Sequence, residues 1–124
     1  MSTIRSYRDL DAWQVSMRLA KECYRIAARF PPSEQFALSQ QLRRAAVSVP
    51  SNLAEGNGSR KRQIYIRHVN IALGSLAEIE TQLMLAVAFE FAKREDVMQA
   101  EDLARQAGRL MLALVHALES VRAS

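Results

Sequence analysis

Cysteine, histidine and acidic side chains are the first candidates for chemistry in this chain, because most nucleophiles, proton carriers and metal ligands come from them. The 124 residues include one cysteine, Cys23, and two histidines, His68 and His116, which lie on different predicted helices. Cys23 falls on an apolar stripe, where a thiol packs as a small hydrophobe. No Glu is followed three residues later by His, the ligand spacing of di-iron bundles. We therefore expect no catalytic residue, no metal site and no cofactor.

Basic side chains form the first pattern with a chemical meaning. Arg60, Lys61, Arg62 and Arg67 lie at or near the start of a predicted helix, and Arg43 lies in the helix before it. A helix start exposes unpaired N–H groups, so cations beside it favour the binding of anions such as phosphate. One interpretation is a site for RNA or DNA of low sequence specificity, since no base-reading element accompanies it. The other is a solvated basic loop.

A second pattern is a polar stripe within the segment SVPSNLAEGNG, which also contains a proline inside a helical repeat. Arg44, Ser48, Asn52 and Glu55 are spaced four, four and three residues apart, so they share one helix face. Pro50 removes one backbone hydrogen bond and clashes with the preceding turn. The sequence therefore predicts a helix kinked at Pro50, with Ser48 or Asn52 satisfying the disturbed backbone.

The following helix carries a matching patch of small and polar residues, Gly74, Ser75 and Glu78. An isolated buried charge is costly, so charges in these two patches need partners if the patches are buried. One interpretation leaves the stripe in water. The other places it at a subunit interface, where charges from two copies meet. The wide apolar face of the first helix favours the interface, because excess apolar surface often marks association.

Helices must position these residues, because apolar residues recur every three or four positions and no segment alternates like a strand. The predicted helices span residues 9–30, 34–55, 60–92 and 95–121, with Ser33 and Ser59 as N-caps and Gly56-Asn57-Gly58 as a C-cap and turn. Short loops make consecutive helices neighbours. The prediction is an all-α, up-and-down antiparallel four-helix bundle that forms a single domain over residues 1–124.

Seams of apolar residues along the predicted helices indicate which sides face the core. The first helix has a main seam and a second apolar stripe beside it. The main seam of the first helix is Leu10, Trp13, Met17, Ala20, Tyr24 and Ala27, and the second stripe is Val15, Leu19, Cys23, Ile26 and Phe30. The predicted seam of the fourth helix is Leu103, Ala107, Leu110, Leu114, Ala117 and Val121.

Composition and charge point to a cytoplasmic protein. The chain is 49% hydrophobic and 24% charged, which suits a folded domain, and its net charge of +4 permits a polyanionic partner. A single cysteine fits a reducing compartment. The N-terminus has no apolar core of signal-peptide length. The longest uninterrupted apolar run has seven residues, against the roughly 20 that cross a bilayer, so we expect no membrane partner.

Several separated motifs resemble, in order, the four-helix-bundle proteins encoded by intervening sequences in bacterial large-subunit (23S) rRNA genes, also labelled S23-type ribosomal proteins. The motifs are DLDAWQ at residues 9–14, FPPSEQFAL at 30–38, QLRRAAVSVPSNLAEG at 41–56 and IALGSLAEIETQL at 71–83. The family pattern Arg-x-x-x-Ser-x-Pro-x-Asn-x-x-Glu-Gly falls on Arg44, Ser48, Pro50, Asn52, Glu55 and Gly56.

The resemblance implies a left-handed bundle that assembles into a homopentamer and has no established enzymatic activity. A related group includes the accessory variability protein of diversity-generating retroelements, which binds a reverse transcriptase and nucleic acid through a basic surface. We expect a non-enzymatic homo-oligomer that binds RNA or DNA through basic helix ends. The alternative is an interaction scaffold or accessory subunit of a nucleic-acid enzyme such as a reverse transcriptase. The family pattern, with Ser75 and Glu78, is expected to form the oligomer interface or a structural motif.

Overall fold

The computed structural model describes residues 6–120, and within them it contains four α-helices and no strand. The helices are α1 (Asp11–Ala27), α2 (Leu38–Gly58), α3 (Arg62–Ala88) and α4 (Arg94–Ser120). Two 3-10 turns, Tyr7–Asp9 and Pro32–Glu34, precede α1 and α2. The all-α four-helix fold predicted from the sequence is confirmed.

Contacts between consecutive helices establish the antiparallel arrangement. Ser39 at the start of α2 donates to the carbonyl of Ala27 at the end of α1, with Oγ and O 3.3 Å apart. Arg29, just after α1, forms an ion pair with Asp96 in the first turn of α4. Around the bundle, α2 packs between α1 and α3, and α4 closes the ring between α3 and α1. One end therefore holds the start of α1, the end of α2, the start of α3 and the end of α4.

The predicted helix ends differ from the observed ones in ways that backbone bonding explains. Residues 32–34 form a 3-10 turn instead of the first turn of α2, so Ser33 caps nothing there. The predicted C-cap at Gly56 is also wrong, because no described glycine has a positive φ and α2 continues to Gly58. Ser59 Oγ accepts from the Lys61 N–H at 3.2 Å, one residue before α3 begins. The third helix ends at Ala88, and Glu90 takes a φ of 64° where the chain turns.

The core uses a different face of α1 than the main predicted seam. The residues of the second stripe are all buried, whereas Met17 and Tyr24 are about half exposed and Trp13 is partly buried. The reason is geometric: the two stripes are adjacent, and only one can face the centre when α2 and α4 flank α1. Ala27 of the main predicted seam is buried as well, but Met17 and Tyr24 remain on the surface, a feature that the fold itself does not explain.

The core face of α4 also differs from its predicted seam, because small residues lie at its centre. The buried residues of this helix are Val97, Ala100, Ala104, Ala107, Met111 and Val115. The predicted Leu103, Leu110 and Leu114 lie beside them and are partly buried, Ala117 is exposed, and Val121 lies outside the described residues. Alanines at the centre let α4 approach its neighbours closely, so the larger leucines flank the contact.

Pro50 is buried, and α2 remains a single helix across it. Among the described hydrogen bonds, neither Ser48 nor Asn52 reaches the carbonyl of Ala46, which the proline leaves without its usual donor. Asn52 Nδ2 instead donates to the carbonyl of Ser48 at 2.9 Å. This bond reaches a carbonyl that the proline does not disturb, so the predicted support of the Ala46 carbonyl is not found among the described hydrogen bonds, and the kink stays a prediction.

By length and composition alone, α3 would suffice to cross a membrane, and 39% of its most apolar 18-residue window is buried in the bundle. The core helix of a soluble protein meets the same criterion. Much of the apolar character of α3 is on its outer side, where Ile64, Ile71, Met84 and Leu85 are exposed.

Candidate functional site

A row of hydrogen bonds joins α2 to α3 along the family pattern, and we name it the polar seam. Ser48 Oγ and Ser75 Oγ are 2.7 Å apart. Asn52 Nδ2 donates to the carbonyl and to Oγ of Ser48, at 2.9 and 3.0 Å. Asn52 Oδ1 lies 2.9 Å from Nδ1 of His68. Each side chain thus satisfies the next, which keeps partly buried polar groups paired between two tightly packed helices.

His68 extends the polar seam to Glu55. Because the Asn52 amide nitrogen donates to Ser48, its oxygen must accept, so Nδ1 of His68 carries the hydrogen. The other ring nitrogen, Nε2, lies 3.8 Å from Oε2 of Glu55, which is largely exposed. The hydrogen bond to Asn52 therefore fixes the orientation of the imidazole, and Glu55 lies too far from Nε2 for a second hydrogen bond.

Gly56 allows the closest approach between α2 and α3. A Cβ added at this position would lie 2.9 Å from both the Cβ of His68 and the Cδ1 of Tyr65. Asn57 Nδ2 donates to the Tyr65 hydroxyl at 3.1 Å. Burial raises the pKa of Tyr65 above its ordinary value, and the Asn57 hydrogen bond offsets only part of that rise. The glycine of the family pattern is thus required by packing, because nothing larger fits there without separating the helices.

Next to Ser48 and Ser75, a depression of about 330 Å³ opens between α2 and α3. Its lining residues are Gln41, Arg44, Ala45, Ser48, Ser75 and Glu78. The structure therefore brings together Arg44, Ser48, Ser75 and Glu78, which the sequence placed on two separate helices. Arg44 and Glu78 are both exposed, and neither belongs to a salt bridge among residues 6–120.

The predicted phosphate-binding residues gather at the other end of the polar seam, where α2 passes into α3. We name Arg60, Lys61, Arg62 and Arg67 the basic turn. Arg62 is partly buried and the other three are exposed. In the described part of the chain no member of the basic turn is paired with a carboxylate. Four cations thus stand at the start of α3 with their charges uncompensated.

Arg43 does not join the basic turn. It lies near the start of α2, roughly 22 Å from the end of that helix at 1.5 Å rise per residue. Its guanidinium donates to Ser39 Oγ at 2.5 Å and to the carbonyl of Gln35 at 3.4 Å. The structure therefore separates Arg43 from the other predicted phosphate ligands and gives it a local bonding role.

No group of three or more His, Cys, Asp or Glu side chains could hold a metal ion within the part of the chain that the structure describes. Cys23 is fully buried, and desolvation, with a smaller contribution from Glu22, raises the pKa of its thiol to about 12. At neutral pH this thiol is protonated and has no access to solvent.

Sequence reasoning missed His68, Tyr65 and Asn57 as partners of the family pattern. A signal existed in the antiparallel pairing, because the 59–61 connection between α2 and α3 is short. Pairing the two helices back from that turn places Gly56 opposite Tyr65 and Asn52 opposite His68. The polar stripe on α2 could therefore have been matched to these positions before any coordinates were known.

The family model described as 23S rRNA-intervening sequence protein matches residues 8–113 of the chain. Among solved structures, a protein of unknown function from the S23 ribosomal protein family of Bacteroides thetaiotaomicron is similar, with a TM-score of 0.78. The two chains are 22% identical, and the alignment covers 85% of this chain and 95% of the other. At that identity the likeness concerns the fold. No curated protein matches the chain.

Proposed function

Because the chain belongs to the family of 23S rRNA-intervening sequence proteins, we propose that it is a non-enzymatic homo-oligomer that binds RNA or DNA with low sequence specificity. The observation that supports this function best is the basic turn, whose four cations have no carboxylate partner among the described residues. Phosphate groups are the partners that such a cluster lacks.

The position of the basic turn strengthens the case for an anionic ligand. Cations at a helix N-terminus oppose the helix dipole, and each one lowers the stability of the helix by about 0.3–1 kcal/mol. The N-cap residue of α3, Lys61, provides no side-chain hydrogen bond to the free N–H groups of the first turn. A bound phosphate would accept from those groups and also neutralise the cations. Contacts of this kind recognise the backbone, so little dependence on base sequence is expected.

Self-association would multiply the effect of each basic turn. A pentamer, which the family resemblance implies, would present five copies to one polyanion, and linked sites bind more tightly than a single one. The partly covered apolar stripe of α1 supports association, because Met17 and Tyr24 are exposed on a face that the bundle does not use.

The absence of enzymatic activity is part of the proposal. The two groups with the most obvious reactivity have structural roles: the Cys23 thiol is buried and protonated, and Nδ1 of His68 is hydrogen-bonded to Asn52. Neither has a second catalytic group beside a cleft that would admit a substrate.

A binding titration tests the proposal. Fluorescently labelled RNA and DNA of several sequences are titrated with the protein at several salt concentrations. We expect binding to all of them, and the triple variant Arg60→Ala, Lys61→Ala and Arg62→Ala should weaken it about tenfold or more. For a single strand the slope of log K against log salt should fall by roughly 2, since three phosphate contacts are lost.

The matched control instead removes Lys93 and two cations of α4. Lys93, Arg94 and Arg105 are exposed, and two of them pair with Glu101 and Asp102. Their replacement by Ala changes the net charge by the same amount, so it reports the general effect of charge. Equal loss of affinity in the two triple variants, or no binding by the parent protein at low salt, would refute the basic turn as the site.

An interaction scaffold, or an accessory subunit of a nucleic-acid enzyme, is the second candidate. It is favoured by two phenylalanines at the bundle end opposite the basic turn, since Phe36 is 81% exposed and Phe89 is 55% exposed. Exposed aromatic side chains of this size are typical of protein-binding surfaces. Retention of a polymerase-like protein after nuclease treatment, lost in the Phe36→Ser and Phe89→Ser variants, would support this function over the first.

A further inference from the structure

Gly74 has no packing role among the described residues. It lies in the middle of the 27-residue α3, it is exposed, and a Cβ added there would have no atom within 4 Å. Glycine is the least favourable helix residue after proline, because its backbone loses the most freedom on folding. In contrast to Gly56, nothing in the bundle requires a small residue at this position, so its explanation lies outside the bundle.

Gly74 belongs to an outer face of α3 that is apolar around it. Ile71, Glu78 and Leu85 follow one another at intervals of seven residues, which places them on one side of the helix, and Gly74 lies beside them. Ile71 and Leu85 are exposed, and the Glu78 carboxylate forms no salt bridge with the described residues. We name these four residues the α3 ridge. Arg67 lies further along the same side, toward the basic turn.

A groove of complementary character lies between α1 and α2. A depression of about 530 Å³ opens between the two helices, and a second of about 600 Å³ continues from Tyr24 along the outer face of α1. Their apolar surface includes Met17 and Val47, which like Tyr24 are almost half exposed. Arg43 and Arg44 are the cations of the depression between the helices, and no acidic residue lines it. Arg18 and Lys21 follow on the α1 side, where they also line a depression that contains Glu22. The groove therefore suits an apolar helix that carries a negative charge.

We infer that copies of this chain join head to tail, with the α3 ridge of one copy packed into the α1–α2 groove of the next. The inference rests on the proposed self-association and names the surfaces that produce it. Gly74 marks the point where the helix of one copy approaches the neighbour most closely, as small residues do at helix crossings. Glu78, which forms no salt bridge with the described residues of its own chain although Arg44 lines the same depression, would lie near the arginines of the neighbour's groove.

The position of the two surfaces favours a closed ring. Ser48 pairs with Ser75 across α2 and α3, and Ser39 pairs with Ala27 across α2 and α1. These pairs set the α3 ridge and the groove at the same height along the bundle, so successive copies need no axial shift. The surfaces are not on opposite sides of the bundle, since α3 is next to α2. A repeated contact of this kind turns about an axis, and it gives a ring where that rotation closes.

Complementation between two variants tests the inference. Gly74→Leu places a bulky side chain on the ridge, and Val47→Glu places a charge in the apolar part of the groove. Both positions are exposed, so each variant should fold. Light scattering should give the mass of one copy, 14.0 kDa, for each variant alone. An equimolar mixture should give twice that mass, because one intact ridge still meets one intact groove. Ala113→Leu, an equally bulky change on the outside of α4, should keep the parent mass.

The possible results separate this interface from self-association itself. A parent protein with the mass of a single copy would refute both. An oligomeric parent whose two variants keep its mass would refute the interface alone. A mixture that stays at the mass of one copy would refute the head-to-tail arrangement, and loss of association in Gly74→Leu only would indicate pairing of two α3 faces. Circular dichroism confirms folding, and Gly74→Ala should raise the thermal midpoint of the monomeric Val47→Glu variant.

Discussion

Gly56 provides the sharpest test of the packing between α2 and α3, through its replacement by alanine. The new methyl group would lie 2.9 Å from His68 Cβ and from Tyr65 Cδ1, and 3.3 Å from the Tyr65 carbonyl oxygen, where ordinary contacts begin at 3.4 Å. His68 Cβ and the Tyr65 carbonyl are fixed to the backbone of α3, so rotation of a side chain cannot relieve the overlap. The two helices must separate by about half an ångström, the difference between the two distances.

The net cost follows from two opposing effects. Overpacking of this kind costs about 1–3 kcal/mol, and weakening of the Asn52–His68 and Asn57–Tyr65 hydrogen bonds adds about 0.5–1.5 kcal/mol for each bond lost. Alanine regains up to about 1 kcal/mol through its greater helix propensity. We expect a net loss of about 1–3 kcal/mol, or a fall in Tm of roughly 4–12 °C for a domain of this size.

Thermal and urea denaturation, followed by circular dichroism, measure the effect. The matched control is Gly58→Ala, two residues along the same helix, where an added Cβ meets nothing within 4 Å. This control should be neutral or stabilising by up to about 1 kcal/mol. All proteins are compared at one protomer concentration, since association raises apparent stability. A Gly56→Ala protein as stable as the parent would show that the close helix approach is not a constraint.

Three further predictions concern a partly buried amide, a residue with a positive φ and a buried thiol. Asn52→Ala should lower the free energy of unfolding by about 1–3 kcal/mol, because it leaves Nδ1 of His68 without a partner and Ser48 with Ser75 alone; urea denaturation measures it, and an unchanged midpoint would contradict it. Glu90→Gly should raise stability by about 1 kcal/mol, since glycine adopts the φ of 64° without strain; a lower Tm would contradict this. The buried Cys23 thiol should react with a chromogenic disulfide reagent only after unfolding, so rapid reaction of the native protein would refute its burial.

Periodicity alone predicted the helices well and their orientation less well. On α1 two apolar stripes lie side by side, and the sequence gives no reason to prefer the one that contains Leu19 over the one that contains Met17. On α4 the leucines are more hydrophobic than the alanines, yet alanines such as Ala104 face the centre of the bundle. The choice in both cases depends on how closely neighbouring helices approach, which is a property of the assembled bundle.

The residues of the candidate site likewise differ in how far the sequence predicts them. The residues of α2 in the polar seam were identifiable because their spacing places them on one face. Their partners were not identified, since His68 and Tyr65 gain their roles only from pairing between helices. Arg43 shows the opposite error: it is basic and near the right residues in sequence, but the rise of α2 carries it to the far end of the bundle.

The short connection between α2 and α3 has a consequence for the order of folding. Only residues 59–61 join these helices, so the entropy lost in bringing them together is small. The contact between α1 and α4, by comparison, joins distant parts of the sequence. We expect the α2–α3 hairpin to form early, so that Asn52→Ala mainly slows refolding. Removal of the Arg29–Asp96 ion pair should instead accelerate unfolding, because that contact forms after the rate-limiting step.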